Sequence, residues 1–397
     1  MNLPGYNYYK SVFSGFPMPF AFVDLDLLFR NAEAVKKRSG HKTIRIASKS
    51  IRCRYLLRQI LDSARQFDGI MCFSVREMLW LNEHGFQNLL MGYPAVNFNE
   101  LNAVALKVKA GNDLTLMADL PEHFERINEV GKKQDVVINV CLDLDLSTRF
   151  PGIWFGVKRS ALRTIKDVEL LVSKIKSCKH VKLTGLMGYE AQVAGVTDKM
   201  PGQFLMNSII KFLKRKSIKT IAQKRQQSVE LLSKNGLQPA FVNGGGTGSL
   251  ESTSSEPVVT EVTVGSGFYA SHLFDNYQQF KHLPAAGFAI EVVRKPEPEL
   301  YTCMGGGYVA SGSIGKEKVP QPYLPLGASL IEHEMAGEVQ TPVRYRKEAE
   351  LSLGDPVFFR HSKAGELCEH FNEIHLVSEG KILKTVPTYR GEGFAFL

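Results

Sequence analysis

The chain has 397 residues, 44% hydrophobic and 22% charged, the balance of a folded globular protein rather than a disordered one. At about 150 residues per domain this suggests two to three domains, long enough to bury a core without disulfides or metals. Lys and Arg exceed Asp and Glu by 49 − 40 = +9, and the meaning of that excess depends on where the charge sits. The cysteines Cys53, Cys72, Cys141, Cys178, Cys303 and Cys368 form no CxxC pair. Their spacing suits neither a zinc ribbon nor a secreted disulfide framework, so reduced thiols in a cytoplasmic protein are expected. The first ten residues carry no apolar signal-peptide region. No run of about 18 apolar residues follows, so no membrane span is expected.

In chain order, short apolar runs alternate with helical patterns. The runs are Pro19–Asp26, Thr43–Ser50, Gly69–Ser74, Asn88–Pro94, Asp113–Asp119, Val136–Asp145, Lys182–Tyr189 and Phe241–Gly246, each bounded by turn or charged residues as buried parallel strands are. Between them lie amphipathic stretches such as Leu27–Arg38 and Asn97–Gly111. Eight alternations predict an α/β fold, a (β/α)8 TIM barrel, rather than an open sheet; a ninth run, Val258–Val264, blurs the count. After about residue 285 the texture becomes apolar–polar alternation, as in Phe288–Lys295 and Ile374–Val386, with a hairpin turn at Ser378-Glu379-Gly380. The expected organisation is a barrel over 1–284 and an all-β domain over 285–397, with roughly the first 17 residues packing on the latter. No internal repeat or low-complexity segment appears.

Chemistry in such barrels gathers at the C-terminal strand ends. The second run ends at Ala47-Ser48-Lys49-Ser50; a desolvated lysine there has a lowered pKa and suits carbonyl chemistry, while the bland alternative is a lysine reaching to the rim. The run Phe241–Gly246 leads into Val242-Asn243-Gly244-Gly245-Gly246-Thr247-Gly248-Ser249, a backbone able to approach a phosphate or simply a flexible turn. It is neither a Walker loop nor a GxGxxG. Arg149 lies just past the sixth run and Tyr189 closes the seventh. A guanidinium can bind a phenolate or carboxylate, and a ring can stack on a planar cofactor. Together these residues describe a pocket for pyridoxal phosphate.

The order of Phe22-Val23-Asp24-Leu25-Asp26, Lys49, Phe73-Ser74-Val75-Arg76-Glu77, Gly92-Tyr93-Pro94, the Arg149 loop, Gly185–Tyr189, Gly244–Gly248 and Gly265–Tyr269 resembles the fold-type III pyridoxal-phosphate enzymes, the alanine-racemase-like barrels. Within them it is similar to the D-threonine aldolase and D-serine dehydratase group. The resemblance implies a Schiff base on Lys49, a phosphate cradle from Gly244 to Gly248 and a ring-contacting role for Tyr189. Where the racemases place an arginine against the pyridine nitrogen, this sequence has Thr263, a neutral partner that weakens the ring as an electron sink. The implied activity is a pyridoxal-phosphate-dependent lyase, an aldolase or a dehydratase, acting on a small D-β-hydroxy amino acid. An amino-acid racemase and a non-catalytic pyridoxal-phosphate carrier are the alternatives.

The resemblance further implies a homodimer and a divalent metal in the β domain, held by a His followed two residues later by Cys or Asp. Here His361 is followed by Lys363, and an ammonium cannot ligate a metal. Either the site is lost or Glu366, Cys368 or His370 replaces the partner; without metal, His361 is a proton donor or substrate contact. Eight basic residues and no acidic one lie between Lys199 and Ser228. They are expected on the solvated outer face of a helix, with neither a nucleic acid nor a membrane as partner.

Overall fold

The computed structural model describes residues 3–312, 315–346, 350–363 and 365–397. Its first eleven strands in chain order are β1 (Phe20–Asp24), β2 (Thr43–Ala47), β3 (Phe67–Cys72), β4 (Leu89–Pro94), β5 (Leu114–Ala118), β6 (Ile138–Leu144), β7 (Thr148–Phe150), β8 (Ile153–Phe155), β9 (Val181–Gly188), β10 (Phe241–Gly244) and β11 (Glu261–Val264). The strands β2, β3, β4, β5, β6, β9, β10 and β11 close into a parallel barrel, and β7 with β8 forms a separate hairpin. The α/β barrel expected from the alternation is present.

Its membership differs from the expected one at a single strand. The run Pro19–Asp26 does not enter the barrel: β1 pairs antiparallel with β12 (Ala286–Glu297) and parallel with β18 (Glu373–Ser378). The ninth run supplies the missing strand instead, with Thr263 of β11 in register with Arg45 of β2. The physical reason is that β1 is buried on every residue. A strand covered on both faces shows no alternation, so its pattern cannot say which sheet it joins.

The chain divides into two compact units, one of residues Met1–Ala34, Ser50–Leu57 and Ser266–Ala395, the other of Val35–Lys49, Arg58–Gly265 and Phe396–Leu397. The first holds a sheet in the order β15 (Ser329–Leu330), β16 (Gln340–Arg344), β13 (Leu300–Met304), β12, β1, β18 and β19 (Lys381–Pro387), with β17 (Pro356–Arg360) joining β12 to β14 (Gln321–Leu324). Its core gathers Tyr9, Phe13, Phe20, Phe22, Leu324 and Phe358. Each such side chain contributes about 1.5–3 kcal/mol by burial. Tyr9 donates its hydroxyl to Asp24 at 2.8 Å, so the N-terminal helix Tyr6–Val12 is fastened by a polar bond as well as by its rings. The β18–β19 hairpin turns at Glu379 (φ 49°) and Gly380 (φ 76°), two left-handed residues as a type I′ turn requires. Among the described residues no helix is long and apolar enough to cross a membrane, and all six cysteines are free and buried.

Candidate active site

Leu90, Met117, Cys141 and Met187 meet with Met71 and Phe241 in one cluster. Six different barrel strands contribute to it, so these side chains fill the barrel interior. Side chains two residues apart on a strand share a face. Asp143 of β6, two positions beyond Cys141, therefore lies on the inward side near the C-terminal mouth, and Asp119 and Tyr189 directly follow the ends of β5 and β9. Lys49 reaches the same end in the 3-10 turn Ser48–Ser50 that follows β2.

Lys49 is exposed, which corrects the expectation of a desolvated amine. Its strand ends at Ala47, and the following turn carries the side chain out to the rim. There Nζ donates to the Tyr93 hydroxyl at 3.2 Å, and it lies 5.9 Å from the Tyr93 ring centre. Tyr93 in turn acts electrostatically on Tyr189, whose phenol burial pushes up to about 12. The Tyr189 ring borders Gly246, where an added Cβ would fall 3.1 Å from Tyr189 Cε2 and 2.9 Å from Ala194 Cβ. Lys49 thus touches Tyr93, and Tyr189 borders the glycine loop, both pairs at the C-terminal ends of barrel strands.

Arg149 has no hydrogen bond, ion pair or ring contact with Lys49, Tyr93 or Tyr189 among the described residues. It lies exposed on the β7–β8 hairpin, with its guanidinium over the Trp154 ring at 4.8 Å. The cation that acts on Tyr189 is Arg159, a residue the sequence reading passed over.

The glycine loop is supported from beneath by a buried ion network. Gly244 ends β10, and Gly245 takes φ +85°, a conformation glycine adopts without strain. Ser249 Oγ accepts the Gly246 N–H at 3.1 Å and donates to Glu190 Oε1 at 2.7 Å. Thr253 also donates to Glu190. Arg225 bridges Glu190 at 3.0 Å, Glu256 and the Gly188 carbonyl at 3.1 Å. It comes from the helix Phe204–Lys234, expected to turn its basic residues to solvent. Arg225 is instead fully buried, and Lys214 is buried in an ion pair with Asp198 at 2.9 Å. A run of basic residues longer than one helical turn must place some inward, and here acidic partners meet them. Gly246→Ala is expected to lower anion affinity at this loop at least about tenfold while the protein stays folded, since Ala194 or Tyr189 must shift; phosphate or cofactor titration with a circular-dichroism control measures it.

Thr263 is buried and shares hydrogen bonds with Asn243, whose Nδ2 donates to Thr263 Oγ1 and to Glu261 Oε1, both at 2.8 Å. Glu261 is held by Arg45 at 2.8 and 3.0 Å, and Arg45 also donates to the Asn88 carbonyl at 2.7 Å. A charged residue in each of two apolar strands, Arg45 in β2 and Glu261 in β11, was the sequence signal for this pair.

These residues fit pyridoxal phosphate: an amine for its aldehyde, a backbone stripped of Cβ atoms for its phosphate, and an aromatic ring between them. In the other unit the residues described around His361 do not assemble a metal donor set. His361 is buried, and neither ring nitrogen has a hydrogen-bond partner among the described residues. Lys363 is exposed and donates to the Ser311 carbonyl at 3.3 Å. Glu366 accepts from Ser311 at 2.8 Å, the Cys368 thiol donates to the Ile51 carbonyl at 3.2 Å, and His370 stacks on Tyr308 at 4.5 Å. Ala364, inside this segment, lies outside the described residues. Among the described residues no three His, Cys, Asp or Glu side chains are grouped to hold a metal.

Burial, with Arg360 and His272 adding to it, pushes His361 down to about 3. The folded chain keeps this imidazole neutral, whereas the unfolded chain protonates it below about 6.5. Its contribution to stability is therefore present above about pH 6.5 and lost as the pH falls toward 3, at roughly 1.4 kcal/mol per pH unit. His361→Phe is expected to flatten that part of the denaturation profile.

Residues 23–272 match the family described as alanine racemase, N-terminal domain. Among curated proteins, the 3-hydroxy-D-aspartate aldolase of Paracoccus denitrificans is 22% identical over 253 residues, 62% of this chain and 59% of that protein. The chain thus spans about three-fifths of the length of the curated relative it matches. The D-threonine aldolase of Filomicrobium marinum superposes with a TM-score of 0.79 at 18% identity, covering 95% of this chain and 97% of that one. The D-threo-3-hydroxyaspartate dehydratase of Delftia sp. HT23 gives 0.74 at 17%, covering 94% and 98%. An alanine racemase of Clostridium difficile 630 gives 0.65 at 14%, covering 94% and 99%.

Proposed function

The chain belongs to the alanine racemase N-terminal domain family, and from that premise we propose that it is a pyridoxal-phosphate-dependent lyase acting on a small D-β-hydroxy amino acid. One observation carries the reading: Lys49 stands at a strand end, hydrogen-bonded to Tyr93, on the same barrel as a glycine loop that borders Tyr189 and is too tight for a Cβ at Gly244 and Gly246. The names of an aldolase and a dehydratase among its relatives support the lyase branch.

Pyridoxal phosphate supplies a conjugated ring that withdraws electrons from bonds at the substrate's α-carbon. The chain's own residues do the rest. Lys49 is the covalent anchor, and the Tyr93 hydroxyl orients its amine. Gly244–Gly248 let backbone N–H groups approach the phosphate, and the Arg225 network holds that loop in place. Tyr189, with its hydroxyl neutral at ordinary pH, presents a flat face without adding charge. Thr263 offers a neutral hydroxyl where a cation would strengthen proton abstraction for racemisation.

The test is a panel of single D- and L-β-hydroxy amino acids, followed for aldehyde, keto acid, ammonia and chirality. Aldehyde or keto acid from D-enantiomers alone is the expected result. Interconversion of enantiomers without cleavage would assign a racemase, and cofactor binding without any turnover would assign a carrier.

A further inference from the structure

We propose that Asp143 is a catalytic residue of the barrel mouth, accepting the proton of the substrate's β-hydroxyl, with Asp119 and Arg159 as the residues that flank and position it. The proposal rests on the lyase reading and names a group within that site.

Three aspartates, Asp119, Asp143 and Asp145, stand at the ends of β5 and β6, and two of them are committed. Asp119 pairs with His123 at 3.1 Å and accepts the Ala161 N–H at 3.2 Å. Asp145 accepts the Ser147 N–H at 2.7 Å and faces Arg163 at 3.6 Å. The Asp143 carboxyl has no hydrogen-bond partner among the described residues, although its side chain is half-buried and shares the interior face of Cys141. A half-buried carboxyl without a partner forgoes stabilisation that a ligand could supply.

Its surroundings are rigid. Ser160 Oγ donates to the Asp143 carbonyl at 2.6 Å, Leu162 bridges to Leu144, and the Asp145 N–H donates to the Leu162 carbonyl at 3.1 Å. The segment carrying Arg159 is thereby zipped along the end of β6, where its charge acts on both Asp143 and Tyr189. Burial and then Asp119 push the Asp143 carboxyl up to about 7, with Asp145 adding to the rise and Arg159 opposing it. The Cys141 thiol on the same side is held neutral by burial. A carboxyl that titrates near neutrality at a strand end is matched to proton transfer.

In the step, the Asp143 carboxylate takes the β-hydroxyl proton as the Cα–Cβ bond breaks. The oxygen forms the carbonyl of the released aldehyde, and the bond's electron pair stays with the amino-acid half. That carbon then gains one proton while Asp143 gives one up, so atoms and charge balance without a further reactant.

Two measurements test this. In the cofactor-free protein, carbon-13 NMR of labelled aspartate should show one carboxyl titrating at about 7, absent in Asp143→Asn. Its midpoint should move down in Asp119→Asn and up in Arg159→Gln. In the loaded protein, kcat/KM should rise with pH through the same midpoint. Asp143→Asn should lose that limb and about 100-fold or more in kcat, with visible cofactor absorbance retained. Arg159→Gln should move the limb upward, which keeps the test decisive if Asp143→Asn does not fold. A limb unchanged in Arg159→Gln, or full turnover in Asp143→Asn, would overturn the proposal. Wild-type protein that binds no cofactor and turns over nothing defeats the lyase reading instead, while the carboxyl titration still reports on Asp143.

Discussion

Arg225→Met is expected to destabilise the protein by roughly 3–5 kcal/mol, because it leaves two buried carboxylates without their counter-charge. Arg225 has no exposed side-chain surface, and Glu190 and Glu256 are 2% and 7% exposed. Burial already raises the Glu256 pKa, with Arg225 opposing the rise, so removal of the guanidinium protonates or expels that carboxyl. The same guanidinium lies where a Cβ on Gly244 would meet it, at 2.8 Å, and its partner Glu190 fixes Ser249 and Thr253. Cofactor affinity should therefore fall together with stability. Urea denaturation and cofactor titration of the variant measure both. A triple change of Arg225, Glu190 and Glu256 to apolar residues should recover stability but not cofactor binding.

Lys49→Ala has the opposite profile. Lys49 is exposed, so its loss should change stability by no more than about 0.5 kcal/mol. The turnover it supports should fall by roughly a thousandfold or more, since the amine that anchors the cofactor is removed. Tyr93→Phe should be milder, because it removes only the hydroxyl that orients the amine. A lysine acting merely as a rim cation would show neither effect, and Lys49→Arg, which keeps the charge, separates the two cases: it should be as inactive as Lys49→Ala.

Much of this architecture was legible in the amino-acid order. The alternation of apolar runs and amphipathic stretches located seven of the eight barrel strands, the eighth being the ninth run that blurred the count, and Glu379-Gly380 marked its hairpin. Strand β1 was misplaced because a strand buried on both faces carries no sidedness. The strand ends exposed Lys49, Tyr189 and the glycine loop as a set, since each occupies a position defined along its own run. What escaped was whatever depends on partners distant in sequence. Arg225 read as one more surface cation until Glu190 and Glu256 closed around it, and Arg159, whose charge acts on Tyr189, carried no signal of its own. Asp143 lay within a recognised strand run, and its parity with Cys141 was readable. That its carboxyl alone among three is left without a hydrogen bond among the described residues was not, because those bonds depend on how the turns after Asp119 and Asp145 fold back and on Ala161, 42 residues from Asp119.

The central claim, that Lys49 carries the cofactor, is tested most directly by borohydride reduction of the protein after incubation with pyridoxal phosphate, followed by peptide mass mapping. The expected result is one phosphopyridoxyl group per chain, confined to the peptide containing Lys49 and absent from Lys49→Ala. Labelling spread over exposed lysines such as Lys211 and Lys219, or undiminished in Lys49→Ala, would contradict it.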